Sequence, residues 1–415
     1  MLERVPLLEK TLDDYADVVE PGTIERIREL AEPFRGARVL HVNATAYGGG
    51  VAELLATHVP LLRDLGIDAE WQVIHGSDEF FAVTKTVHNA LQGAEVEWTP
   101  QMEHVYLERV LDNALQIEGN WDFVVIHDPQ PVAVRDYARG HGVAPEDTKW
   151  IWRCHIDLTD ANPTVFEFFR PFIENYDASV WTMPQFVPDT VKMDRIVFAP
   201  PCIDPHSVKN LDLAPPFVNE IVKQYGVRPN DPLIVQVSRF DPWKDPVGVI
   251  EAYRIVREEF PSVQLMLAGS MATDDPEGFH YWDLAMEARG GDPNVHLVSN
   301  IQQVGNVQIN AFQRAADVVM QKSLREGFGL TVSEGLWKGR PVIGGRCGGI
   351  TLQIDDGVNG ALVDSVEEAA ARTADLLRDP ARAAAMGAAG REHVRRNFLS
   401  TRELDDWLRL FGDLQ

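Results

Sequence analysis

Two carboxylates stand eight positions apart in Glu326-Gly327-Phe328-Gly329-Leu330-Thr331-Val332-Ser333-Glu334, across a glycine-rich run that reads as a loop turning into a helix. Glycines let a backbone approach a ligand closely, and the first turn of a helix offers N–H groups without intrahelical partners, which suits phosphate. Glu326 would stay in the loop, and Glu334 would lie about one turn into the helix. A carboxylate accepts hydrogen bonds from two neighbouring hydroxyls, so one glutamate could hold a hexose and the other a ribose, on either side of a pyrophosphate. The bland alternative is an ordinary helix start whose acidic residues answer a positive dipole.

A pair of cations offers the complementary chemistry. Ser238-Arg239-Phe240-Asp241-Pro242-Trp243-Lys244-Asp245 follows the apolar run Leu233-Ile234-Val235-Gln236-Val237. Arg239 can fork two hydrogen bonds to phosphate oxygens, while Lys244 acts as a mobile point charge. One such pair at about 4 Å, with an effective dielectric near 20, is worth on the order of 4 kcal/mol before desolvation. The alternative is a solvated loop with Lys244 paired to Asp241 or Asp245. A third candidate is the turn Tyr47-Gly48-Gly49-Gly50, where Gly49 and Gly50 could present N–H groups to an anion. It fits a plain tight turn equally well, and it departs from the Gly-x-Gly-x-x-Gly dinucleotide pattern.

These residues need a scaffold. ARVLHVNATAYGGGVAELLATHVPLL reads as a buried strand, a glycine turn and an amphipathic helix, a beta-alpha unit. DFVVIHD, KWIWRCHI, ASVWTMP and RIVFAPP continue the strand pattern with helical stretches interposed, so the first half is α/β with a parallel sheet. The proline-rich passage APPCIDPHSVKNLDLAPPF can continue neither a helix nor a central strand and marks a linker. The pattern then restarts with PLIVQVSRF, VQLMLAGS, VHLVSN, DVVMQKS and RPVIGG, which implies a second doubly wound domain. PVGVIEAYRIVREEF and the alanine-, leucine- and arginine-rich stretch from Ser365 onward should be helical. Two such domains would bind ligands at the carboxyl ends of their strands, facing a common cleft.

Composition narrows the functional classes. The 415 residues suggest two compact units, and 45% hydrophobic with 24% charged residues is ordinary for a globular chain. A net charge of -25 disfavours nucleic acid and acidic lipid as partners, so an anionic ligand needs a locally basic pocket. Three well-separated cysteines, Cys154, Cys202 and Cys347, form neither a disulfide framework nor a zinc motif. No apolar run approaches a membrane span, and MLERVPLLEK lacks the apolar centre of a signal peptide, so a cytoplasmic location is expected.

The Arg239/Lys244 loop and the paired glutamates resemble those of glycosyltransferase family 4. The first half resembles the trehalose glycosyltransferring synthases in Asp78-Glu79-Phe80-Phe81, Thr84-Lys85, His88-Asn89-Ala90-Leu91-Gln92-Gly93, His127-Asp128-Pro129-Gln130-Pro131 and Trp152-Arg153-Cys154-His155-Ile156-Asp157. That resemblance implies a GT-B fold of two Rossmann-like domains. They would be an acceptor-binding domain over 1–204, rejoined by a returning helix over 395–415, and a nucleotide-sugar domain over 205–394. It also implies that Glu326 holds the donor glucose, Glu334 the ribose, and Arg239 with Lys244 the diphosphate, with Gly327, Phe328, Gly329 and Leu330 lining the donor. His155 would lie near the donor sugar and the reacting centre. Asp128, Gln130, Arg153 and Asp157 are candidates for the acceptor.

The expected reaction moves glucose from UDP- or ADP-glucose to the anomeric hydroxyl of glucose, giving α,α-trehalose with retention, reversibly. The departing phosphate oxygen would take the acceptor's proton on the same face. No metal is obligatory, since no Asp-x-Asp occurs where it would clamp a diphosphate, although a loosely held Mg2+ stays open. The resemblance also implies a homodimer. Competing readings are a trehalose phosphorylase, another retaining family 4 glucosyltransferase, an NAD-dependent oxidoreductase and a nucleotide-sugar sensor.

Overall fold

A computed structural model describes residues 2–269 and 276–415. The chain divides into two compact units, Met1–Cys202 with Ser400–Gln415, and Ile203–Leu399. Ser270, the last residue of the run VQLMLAGS, lies outside the described residues.

Unit 1 is built on seven strands: β1 (Glu3–Arg4), β2 (Arg38–Asn43), β3 (Asp68–Val73), β4 (Phe123–His127), β5 (Lys149–Arg153), β6 (Ala178–Trp181) and β7 (Ile196–Phe198). Their order is β1-β3-β2-β4-β5-β6-β7, and only β1 runs antiparallel to its neighbour. Five of these, β2, β4, β5, β6 and β7, fall on the runs that marked them in the sequence; β2, β4, β5 and β6 are almost wholly buried, as in a sheet covered on both faces, and β7 is the edge strand. The strand order reverses beside β2 and β4, which is where such sheets open a crevice at their carboxyl ends.

The returning helix Ser400–Leu414 completes this unit. Leu404, Trp407, Leu408 and Phe411 recur at helical spacing and enter the unit 1 core, with the Phe411 ring tilted against Phe123 at 4.5 Å between centroids. Each such buried side chain contributes roughly 1.5–3 kcal/mol, so the helix is part of the core and not an appendage. Arg395–Asn397 still belong to the preceding helix Pro380–Asn397, and the chain enters unit 1 at Ser400.

Among the described residues, unit 2 has six strands, all parallel: β8 (Leu233–Val237), β9 (Gln264–Gly269), β10 (Val295–Ser299), β11 (Val318–Gln321), β12 (Val342–Gly345) and β13 (Ala361–Val363). Their order is β10-β9-β8-β11-β12-β13, reversing at β8 and β11. The helix Pro246–Glu259 begins where Pro fills the first helical position and Asp245 caps it through Gly248 N–H at 3.1 Å. The helical stretch after Ser365 is broken by Asp379-Pro380 into Val366–Arg378 and Pro380–Asn397.

Candidate active site

The loops leaving β8 and β11 hold the predicted cations and the loop glutamate. Asp241 accepts from the Lys244 N–H at 3.1 Å, which folds Pro242–Lys244 into a single 3-10 turn. Lys244 then reaches across to Glu326, Nζ to Oε2 2.6 Å, with the two side chains 13% and 12% exposed. Ser323 Oγ donates to the same oxygen at 3.3 Å. The loop alternative, in which Lys244 pairs with Asp241 or Asp245, is therefore not what forms. Asp245 pairs instead with the buried Lys322, and Asp241 lies 3.1 Å from Arg239. Arg239 is 60% exposed and extends into solvent.

The glycines of this loop have separate reasons. Gly329 has φ +80 and precedes the helix Leu330–Trp337, and a Cβ there would stand 3.1 Å from Glu326 Cγ. Gly349 crosses so close that a Cβ would meet the Gly327 carbonyl oxygen and the Phe328 Cα at 2.5 Å. Phe328 is buried, and the Gly349 N–H donates to the Glu326 carbonyl at 3.2 Å, so the loop is clamped from inside. Leu330 opens the helix, and the N–H groups of its first turn are the ones an anion would use.

Glu334 stands in a different network from Glu326. Its side chain is 1% exposed; Lys209 Nζ lies 3.2 Å from Oε1, and Gln313 Nε2 donates to Oε2 at 3.1 Å. Burial works against its charge, but Lys209, then Lys338 and Gln313, more than offset that and hold the carboxyl below its usual range. Lys338, pushed down to about 7 by burial, donates to Asn210 Oδ1 at 2.8 Å and to the Glu334 carbonyl at 3.2 Å.

In unit 1, β4 and β5 end side by side and bring Asp128 and His155 together. Asp128 has φ +64, held by its N–H to the Arg153 carbonyl at 2.8 Å, and its Oδ1 accepts from the His155 N–H at 2.8 Å. Burial pushes the Asp128 carboxyl up to about 6, against the opposing pull of that N–H and of Arg153. His155 is half-buried, and its Nε2 lies 2.9 Å from His127 Nδ1.

The other acceptor candidates sit differently. Gln130 is half-buried with Oε1 unbonded, Asp157 accepts from Thr159 N–H and Oγ1 at 2.9 and 2.6 Å, and Arg153 is buried with Nη2 on the Ala199 carbonyl at 2.7 Å. Gly49 and Gly50 are exposed where the helix Gly50–Asp64 begins. It is Gly48, with φ +80, whose conformation asks for glycine; Gly49 is extended.

Several participants escaped the sequence reading. His41 and His127 lie inside apolar strand runs, where a polar residue among buried neighbours was the available signal. Lys209 falls in the proline-rich passage and Lys322 ends a strand run, and only the fold reveals their acidic partners. Among the described residues, no group of three or more His, Cys, Asp or Glu side chains could hold a metal ion, and no helix is long and apolar enough to cross a membrane.

Two parallel-sheet units, with a glycine-bounded helix start beside a lysine–glutamate pair, define a GT-B glycosyltransferase. Residues 217–393 match the glycosyl transferases group 1 family, and residues 41–188 match the family described as trehalose synthase, N-terminal domain. The chain is 52% identical to the trehalose synthase of Rubrobacter xylanophilus over 100% of its own length and 99% of that protein. It belongs to the trehalose synthase family. A trehalose phosphorylase of Pleurotus pulmonarius is 28% identical, covering 92% of this chain and 58% of that protein. The crystal structure of an α,α-trehalose-phosphate synthase (UDP-forming) from Burkholderia xenovorans in complex with glucose-6-phosphate shares the fold. Its TM-score is 0.70 at 14% identity, covering 91% of this chain and 100% of that one.

Proposed function

We propose that this chain transfers glucose from a nucleoside diphosphate glucose to the anomeric hydroxyl of glucose, forming α,α-trehalose with retention. The observation that carries the reading is the 2.6 Å Lys244–Glu326 pair beside the helix start at Gly329. A cation, a carboxylate and unpaired N–H groups are thereby assembled in one place, which is what a sugar joined to a diphosphate requires.

In this reading Glu326 accepts from hydroxyls of the donor glucose while Lys244, already oriented by Glu326, turns its remaining hydrogens to the diphosphate. Arg239, largely in water beside Asp241, closes on the same phosphates. Negative charge grows on the departing phosphate oxygen as the glycosidic bond breaks, and these donors stabilise it in the transition state more than in the ground state. That oxygen takes the proton of the attacking hydroxyl on the same face of the sugar, so configuration is kept. Gly327, Phe328, Gly329 and Leu330 shape the donor wall, and Gly49 and Gly50 offer further N–H groups.

Glu334 holds the ribose with the two acceptor positions left after Lys209 and Gln313. In unit 1, His155, Asp128 and Gln130 hydrogen-bond hydroxyls of the sugar acceptor. Arg153 and Asp157, whose bonds are internal, support that wall from beneath. If Mg2+ takes part, it rides on the diphosphate and adds charge neutralisation.

Incubating the pure protein with glucose and either UDP-glucose or ADP-glucose should release the nucleoside diphosphate and yield trehalose on chromatography. Trehalose consumed with inorganic phosphate, but not with UDP or ADP, would replace this reading with a phosphorylase. The resemblance further implies a homodimer, which light scattering would check, and the cytoplasmic location expected from the sequence would be checked by cell fractionation.

A further inference from the structure

Strands β2, β4 and β5 are neighbours in the unit 1 sheet, and each contributes a histidine at or near its carboxyl half. His41 Nδ1 lies 3.0 Å from His127 Nε2, and His127 Nδ1 lies 2.9 Å from His155 Nε2. The string thus runs from the half-buried His155 to the fully buried His41. At the inner end, His41 Nε2 has no hydrogen-bond partner, and neither has either ring nitrogen of His58, whose ring stands edge-on at 5.3 Å. Trp407 of the returning helix closes against both rings at 5.9 and 5.8 Å. A cavity of about 10 Å³ lies here, at the lower limit for one water, and Arg153 and Glu403 also reach it.

Burial holds His41, His127 and His155 well below the usual histidine range, so each ring is neutral and carries one N–H. A bond joining two neutral imidazoles uses the N–H of one and the lone pair of the other. Two bonds through alternate nitrogens therefore leave two consistent patterns: all three rings protonated on Nδ1, or all three on Nε2. No single ring can change tautomer without the others.

We propose that His41 and His127 form a tautomeric relay, so that the remaining ring nitrogen of His155, Nδ1, is a donor or an acceptor according to what His41 Nε2 meets at the buried end. The relay extends the reading of His155 as a sugar-facing residue. His41 and His127 are positioning residues: they touch no substrate but decide which way a sugar hydroxyl bound to His155 must turn its hydrogen.

The direct test is nitrogen NMR of the intact protein labelled with 15N-histidine, assigned by single histidine substitutions. His41, His127 and His155 should be neutral and share one tautomer. Mixed tautomers among the three, or an imidazolium at His127, would overturn the relay. In His41→Leu, the His155 tautomer should become mixed and kcat should fall roughly ten-fold, with KM for donor and glucose within about two-fold. His41→Asn, whose amide takes the place of Nδ1, should recover most of that loss. A folded His41→Leu protein with unchanged kcat and unchanged His155 tautomer would reduce His41 to packing. The wild-type spectrum requires no turnover, so the relay and the trehalose-forming reading can fail separately.

Discussion

The two units handle polarity in opposite ways. Unit 2 gathers charge in opposed pairs, Lys244 with Glu326, Lys209 with Glu334 and Lys322 with Asp245. Unit 1 lines up rings that burial keeps neutral, His155, His127 and His41, bonded to one another in a string. Paired charges keep a field ready for a ligand that brings two phosphates; neutral rings fix direction without a field. Gripping an anion and orienting an uncharged hydroxyl are different tasks, and these two arrangements suit one each.

The contrast breaks most readily at Glu326. Glu326→Ala should lower kcat by about 10³ or more, while calorimetry still detects binding of UDP or ADP. Loss of nucleotide binding instead would mean that the roles of Glu326 and Glu334 are exchanged.

Next in size is Glu403, a buried acidic group near the histidine string. Burial pushes the Glu403 carboxyl up to about 7, against the pull of Arg402 and Arg153. The folded protein therefore binds more protons than the unfolded chain between its ordinary value and about 7, so stability falls as pH rises through that window. The penalty at higher pH is on the order of 3 kcal/mol. Glu403→Gln should flatten this part of the melting-temperature profile, and an unchanged slope would show that charge is no burden in unit 1.

Arg239→Ala should reduce kcat/KM by about 1.5 to 3 kcal/mol of transition-state stabilisation, with the fold intact. Its contact with Asp241 contributes little, because Arg239 is largely in water. Unchanged kinetics would confine the field to Lys244. The smallest effect expected is from Gly329→Ala, about 1–2 kcal/mol of stability in chemical denaturation, from the backbone at φ +80 and the 3.1 Å approach to Glu326.

Much of unit 2 was legible because its signals are local. Five of its six strands are continuous apolar runs, and Lys244 and Glu326 each sit just after one. Less of unit 1 could be read. β3 carries Glu70 and Gln72 among its apolar residues, and β1 and β13 are too short to show a period. The histidine string was hidden because His41 and His127 become neighbours only through strand order, which no spacing in the text records. Lys209 escaped for the same reason, its carboxylate partner lying far along the chain. At Gly48-Gly49-Gly50 the sequence does not say which glycine the backbone requires; the backbone angle, visible only in three dimensions, singles out the first of the three.

Because Trp407 and Phe411 come after unit 2 in the chain, every residue of unit 2 is made before the core of the first unit can close. A nascent chain halted before residue 400 would carry an open hydrophobic seam where that helix belongs, which is the surface a chaperone would meet.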